Sequence, residues 1–444
     1  MTAKQEEERP AAVPEAKQAG EVRARWAWAE PRVWTERMLT ALEVGVKGGK
    51  WFSLIDKVSA PRVLRRAFEQ VKANGGAAGV DHQTIAMYEQ RLEQHTESLA
   101  CRLREGSYQP AAVRREWIPK PGSREKRPLG IPTVRDRVVE KALQVTIEPI
   151  FERDFAEQSY GFRPGRGCKD ALRRVDQLLK QGLKWVVDAD LKSYFDTIPH
   201  EQLLKLIEGK VADGRVLELL RKYLKQGVLE DMREWQPEAG TPQGAVISPL
   251  LSNIYLNPLD HLMESFGYEM IRYADDFVVL CHSEAEARRA LAAVQQWTVE
   301  AGLTLHPNKT RIVDATQPGG FDFLGYHFEC GRKTPRQKSL KKFKDTIRAK
   351  TKRTNGHSLQ VIIANVNRTA KGWFTYFKHS HLYTFRPLDQ FIRTRLRSII
   401  RSRNGRRGMS RGGESRQWTN AFFAQQGLFS LLDTRVALRQ SLRR

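Results

Sequence analysis

Residues 270–280 read Met270-Ile271-Arg272-Tyr273-Ala274-Asp275-Asp276-Phe277-Val278-Val279-Leu280. Apolar runs flank a central acidic pair, the pattern of a tight β-hairpin. Two adjacent carboxylates at an apolar hairpin tip repel each other and resist desolvation. A bound divalent cation removes that penalty. Hard oxygen donors favour Mg²⁺, which takes one or two carboxylates plus substrate phosphates. Taken alone, the pair fits an ordinary surface Asp-Asp turn equally well.

A third carboxylate changes the balance. Trp185-Val186-Val187-Asp188-Ala189-Asp190 is a β-branched run ending in acids, followed by Leu191-Lys192-Ser193-Tyr194-Phe195-Asp196. Strand alternation puts Asp188 and Asp190 on one face. One carboxylate from this strand plus the pair on a neighbouring hairpin is the donor set of two-metal phosphoryl transfer. Asp188, Asp190 and Asp196 compete for the role. Asp190 is preferred because Phe195 follows at a distance that lets its ring close over a sugar pocket.

Around these residues the chain reads as α+β with an antiparallel sheet. Helices are expected over 135–155, 169–181 and 284–301, and strands over 184–191, 303–314 and 321–328. The stretch 239–259 carries no charge, but Pro242, Pro249, Pro258, Gln243 and Asn253 argue against a membrane span. Residues 1–20 lack the apolar core of a signal peptide. The four cysteines have neither zinc-ribbon nor redox spacing, and the ten histidines form no ligand cluster. Zinc modules therefore find no support, and unpaired thiols point to a reducing compartment.

The formal charge of +24 is unevenly spread. Residues 1–330 hold 47 basic and 47 acidic side chains, whereas residues 331–444 hold 28 basic and 4 acidic ones. A local polycation of this size calls for a polyanionic partner, foremost nucleic acid. Apolar positions persist within it (Ile347, Leu359, Ile362, Val366), so basic helices are expected from 339 onward.

Asp190 with Phe195, then Tyr273-Ala274-Asp275-Asp276, resemble the metal-binding motifs of reverse transcriptases. The wider pattern resembles bacterial group II intron-encoded proteins, which are reverse transcriptases and RNA-splicing maturases. Ile118-Pro119-Lys120-Pro121 with Arg127-Pro128-Leu129-Gly130-Ile131-Pro132 resembles their fingers motif. Ser159-Tyr160-Gly161-Phe162-Arg163-Pro164-Gly165 resembles the next block, and Gly240-Thr241-Pro242-Gln243-Gly244 through Asn253 the block that supports template and nucleotide. Asn308-Lys309-Thr310 and Phe323-Leu324-Gly325-Tyr326 resemble two later palm motifs, and 372–377 the thumb and maturase region. The blocks at 34–39, 51–56 and 420–431 resemble the class C subgroup, and a Cys/His endonuclease domain is not expected.

The resemblance implies a right-hand polymerase. It comprises a disordered leader (1–28), an N-terminal extension with the start of the fingers (29–112), and fingers and palm (113–330). A helical thumb or maturase domain (331–392) and a basic nucleic-acid-binding segment (393–444) follow. It implies RNA-directed DNA synthesis with two Mg²⁺ ions on Asp190, Asp275 and Asp276. Lys309 is the candidate general acid for departing pyrophosphate. Lys120 and Arg127 would grip the triphosphate, Phe195 would gate the sugar, and Gln243 would contact the nucleotide. Gly244 and Phe323, Leu324, Gly325 and Tyr326 would support template and primer. Lys341, Lys342, Lys344, Arg393, Arg397, Arg401, Arg403, Arg406 and Arg407 would hold RNA or DNA, with Trp373 read as thumb core. The implied partners are intron RNA, an RNA template with DNA primer, dNTPs and single-stranded or hairpin target DNA, in a bacterial cytoplasm without membrane attachment. A domesticated defence or repair reverse transcriptase and a splicing-only maturase are the alternatives.

Overall fold

The computed structural model describes residues 22–119, 126–230, 233–405 and 416–441. Its centre is a four-stranded antiparallel sheet in the order β6-β7-β3-β8. The strands are β3 (Trp185–Asp190), β6 (Glu269–Tyr273), β7 (Asp276–Cys281) and β8 (Arg311–Asp314). Both faces are covered, which is why β3 and β7 are largely apolar, their acids lying at or near the end where Asp190 and Asp276 pair. Val187, Ala189, Phe277 and Val279 face one core with the Glu284–Glu300 and Ser248–Ser265 helices. Val186, Val278 and Leu280 face a second core with the Cys168–Lys180 helix.

A second sheet, in the order β2-β1-β4-β5, forms the fingers. It contains β1 (Val113–Pro119), β2 (Lys126–Ile131), β4 (Val228–Glu230) and β5 (Arg233–Trp235). The third sheet stacks β9 (Phe321–Phe323), β10 (Tyr326–Glu329) and β11 (Arg332–Pro335). Two strand expectations are corrected here. The strand expected over 321–328 is a hairpin, because Leu324 and Gly325 take left-handed φ of 45° and 83°. The strand expected over 303–314 forms only at Arg311–Asp314, with Leu305 making a lone bridge to Leu191.

The second half of the uncharged stretch enters the Ser248–Ser265 helix, with Pro249 in its first turn, where the missing N–H costs nothing. Among the described residues no helix is long and apolar enough to cross a membrane. The expected disordered leader extends too far. Trp26 is buried and its Nε1–H donates to Glu43 at 2.7 Å.

The basic last quarter is a folded helical body. The helices Gln337–Lys350, Leu359–Phe377 and Phe385–Arg403 share a core of Phe343, Ile347, Val366, Phe374, Leu388 and Leu396. Trp373 packs there, its ring centroid 4.7 Å from those of Phe343 and Phe377. Phe423 and Leu431 close the core from the two last helices, Asn420–Gln425 and Leu431–Ser441. The Asp389 carboxylate caps the last helix, accepting at 3.0 Å from the N–H groups of Leu431 and Leu432. The boundary expected at 392/393 falls inside the Phe385–Arg403 helix.

Candidate active site

The register of the central sheet sets Asp190, the last residue of β3, opposite Asp276, the first of β7. Asp275 sits on the β6–β7 turn beside Ala274, whose φ of 59° is left-handed. Seven described non-glycine residues have such φ values, and four of them surround this point: Phe162, Ser193, Ala274 and Leu324. Clustered backbone strain of this kind marks functional sites and persists only where the surroundings over-determine it.

Here the over-determining group is Arg272. Its side chain is fully buried and paired with the equally buried Asp260. The guanidinium also donates to Asn253 Oδ1 at 3.0 Å and to the Ala274 carbonyl at 2.9 Å. The 159–161 segment runs beside β6, with the Tyr160 N–H donating to Arg272 O at 2.8 Å and Asn253 Nδ2 donating to Gly161 O at 2.8 Å. Three sequence blocks thus converge on one turn. A Cβ on Gly161 would lie 2.2 Å from the Ala274 nitrogen. Gly161→Ala is therefore expected to displace the turn and slow polymerisation by roughly 10²-fold at nearly unchanged template affinity, measured as kcat and KM in primer extension.

The carboxylates crowd one another. Burial, then Asp275, Asp188 and Asp190, push Asp276 up to about 7. Asp275 is raised by burial and by Asp190. Burial pushes Asp188 up to about 6, against the Arg311 guanidinium, whose Nε lies 3.4 Å from it. The Lys309 ammonium forms a close ion pair with Asp190. Arg127 and Arg336 act from further off, on Asp275 and Asp276 respectively. Among the described residues, no three His, Cys, Asp or Glu side chains already stand in ligand geometry. The donor set nevertheless fits hard divalent cations: several carboxylate oxygens, half-buried, mutually repelling, and short of compensating positive charge.

A cavity of 480 Å³ is lined by Phe195, Asp196, Gln243, Arg115 and Trp235 among others. The ring of Phe195 stands edge-on to Tyr194, which is buried and donates to Ser252 O at 2.8 Å. Gln243 Nε2 donates to both carboxylate oxygens of Asp196, at 3.3 and 3.2 Å. Lys120 lies outside the described residues, as do Arg406 and Arg407. Gly244, expected to let the template approach, also has a reason within the chain to be glycine. A Cβ there would meet the Gly130 carbonyl at 2.6 Å, so the position is required by the fingers. The rings of Phe323 and Tyr326 are buried in the second core, leaving the Leu324-Gly325 turn as the part of that motif nearer the surface.

Among the basic candidates, Lys341 and Lys342 are exposed, and the Lys344 ammonium lies 5.9 Å from the Phe391 ring. Arg393 lies on the Phe385–Arg403 helix near Arg397, whose Nε donates to Trp418 O at 2.9 Å. Arg403 donates to the Asn355 carbonyl at 3.2 Å, and Arg401 is half-buried on the same helix. Part of the basic charge thus ties the helices together. Residues missed from sequence include Asp260, Arg311 and Arg336. The one available signal was Arg272, a lone charge between buried strand positions, which demands a buried partner.

Residues 118–328 match the family described as reverse transcriptase (RNA-dependent DNA polymerase), and residues 340–418 match the group II intron maturase-specific domain. Protein YkfC of Escherichia coli (strain K12) is 35% identical over 314 residues, covering 62% of this chain and 82% of YkfC. The group II intron-encoded protein LtrA of Lactococcus lactis subsp. cremoris is 37% identical over 203 residues, covering 45% of this chain and 33% of LtrA. The match thus spans about a third of the length of LtrA. A solved chain of a partial Cas6-RT-Cas1–Cas2 complex has 27% identity and a TM-score of 0.37, covering 56% of this chain and 41% of that one. A reverse-transcriptase core with converging carboxylates, followed by a maturase-specific helical region, places the chain among metal-dependent polymerases that act on nucleic acid. The chain belongs to the group II intron-encoded family of reverse transcriptases, RNA-directed DNA polymerases that carry a maturase domain.

Proposed function

We propose that the protein extends a DNA primer on an RNA template, and that its basic helical last quarter holds intron RNA during splicing and target-primed insertion. The observation that carries this reading is the register of Asp190 against Asp276, with Asp275 on the adjoining turn. Asp190, Asp275 and Asp276 would hold two Mg²⁺ ions, which when bound activate the 3′-hydroxyl and neutralise the triphosphate. The chain's own groups do the rest. Arg127, at the fingers edge and facing Asp275, orients the triphosphate as a forked donor. Lys309 leaves Asp190 for the incoming phosphates and gives its proton to the departing pyrophosphate. Asp196 fixes the Gln243 amide, so that its neutral hydrogen bonds meet the nucleotide without seeking a partner.

Phe195 limits the space beside the sugar. Phe195→Ala is expected to raise ribonucleotide incorporation by roughly tenfold or more relative to dNTPs, read in single-nucleotide extension. Unchanged discrimination would assign Phe195 to packing alone.

The domain limits at 112 and 330 divide these tasks between extension, polymerase body and RNA-holding helices. Lys341, Lys342 and Lys344 are offered as phosphate contacts on the helix that begins the last unit. Replacing all three by alanine is expected to weaken intron RNA binding and lower its salt slope by about two to three. The RNA that copurifies with the protein, and RNA-templated extension by the full chain, test the whole reading. Splicing support without any extension would favour the maturase-only alternative.

A further inference from the structure

The far end of the palm carries a second recess, remote from the carboxylates. Asp190 closes β3 on the active-site side, whereas Lys184, just before β3 begins, lines the recess. The length of β3, roughly 3.3 Å per residue, separates the two. The recess has a volume of 660 Å³. It is walled by the end of the Cys168–Lys180 helix, the β10–β11 turn, the 379–382 connection and the Leu431–Ser441 helix.

Its charge is unbalanced. Lys180, Lys184, Arg332, Lys333, Arg435 and Arg439 line it against two acids, Asp176 and Glu329. Asp176 is already engaged by Lys333 at 3.1 Å and Lys180 at 3.2 Å. Glu329 accepts from the Gly319 N–H at 2.6 Å. Among the described residues, Lys184, Arg332, Arg435 and Arg439 have no carboxylate within 4.0 Å. Arg435 is half-buried, and burial together with Arg439 lowers its pKa. A desolvated guanidinium beside a second cation is an unfavourable arrangement until an anion joins it. The floor is apolar, made by Leu179, Phe328 and Leu382. His379 completes the wall with a ring held neutral by burial and by Lys333.

We propose that this recess binds a nucleotide unit. Arg332, Arg435 and Arg439 would take its phosphate through forked hydrogen bonds. The base or sugar would lie against Phe328 and Leu382, with the neutral His379 imidazole beside it. The volume is in the range of pockets that enclose small ligands. A phosphate here would tie the last helix to the palm, so that occupancy would fasten the maturase end of the chain to the polymerase body. The choice of a nucleotide among phosphate-bearing ligands rests on the function proposed above. The shared chemistry is a nucleoside phosphate, whether part of an RNA strand or free.

The test uses the full chain and a short single-stranded RNA containing 4-thiouridine. Ultraviolet crosslinks are mapped by peptide, with and without added AMP. The expected result is a crosslink within 328–332 or 379–382. Arg435→Gln with Arg439→Gln should remove it, as should Arg332→Gln, which alters a separate element. RNA affinity should fall by about tenfold and the salt slope by about two, while extension of a short primer–template stays at the wild-type rate. Competition by AMP would identify free nucleotide as a ligand; its absence would identify the strand. Normal extension with no crosslink in the recess, or a crosslink indifferent to all three substitutions, overturns the proposal. Absent extension by the wild type would strike the polymerase reading instead.

Discussion

Asp275→Ala is expected to abolish RNA-templated extension, lowering its rate by at least about 10³-fold, while leaving the fold as stable as before or more so. The two halves of this expectation have one cause. Asp275 lies against Asp190 and Asp276 at the end of an apolar sheet, and its pKa is raised by burial and by Asp190. An acid whose folded pKa lies above its unfolded value favours folding less as pH rises through that range. At neutral pH the ionised carboxylate therefore works against the fold, and alanine relieves that cost. The same substitution removes a donor from the set proposed to hold the cations, and transition-state charge then goes unneutralised. Thermal unfolding in EDTA and primer extension in excess Mg²⁺ read the two effects separately. RNA binding should persist, because the basic helices are untouched. Extension near the wild-type rate would remove Asp275 from the site, and a large loss of stability would mean that the turn needs this carboxylate for its shape.

Legibility followed the range over which each constraint acts. The hairpin at 270–280 and the strand before Asp190 were readable because alternation and flanking apolar runs are local signals. The helices over 134–152 and 168–180 were readable from spacing to within three residues at either end. Leu324-Gly325 was misread as mid-strand, since a left-handed pair in an apolar run leaves only one glycine as a clue. At Gly244 a glycine announces close approach without saying to what, and one neighbour the sequence does not reveal is the Gly130 carbonyl. The basic last quarter reads as a mass of charge for nucleic acid, yet Arg397 and Arg403 give hydrogen bonds to carbonyls of the helical body. Least visible was the support of the catalytic turn, because Gly161, Asn253, Asp260 and Arg272 meet only in the folded chain.

That support carries the second large effect. Arg272→Met should destabilise the polymerase body by about 3–5 kcal/mol, because it leaves the Asp260 carboxyl buried and unpaired. The melting temperature should fall by roughly 10 °C. Adding Asp260→Leu should restore most of the loss, since a buried ion pair replaced by apolar groups of similar volume is often nearly neutral. Activity should not return with stability. In the double variant the Ala274 carbonyl and Asn253 Oδ1 still lack the donor that Arg272 provides at 2.9 and 3.0 Å. The left-handed turn that carries Asp275 is then held less firmly, and a misplacement of about 1 Å costs on the order of 10²-fold in rate. Denaturant titration and single-turnover extension of the two variants beside the wild type separate the two roles. If Arg272→Met is as stable as the wild type, the ion pair is not a strut. If the double variant extends at full rate, the turn holds its shape without the Arg272 bond, and the fixed geometry of Asp275 comes from the sheet register alone.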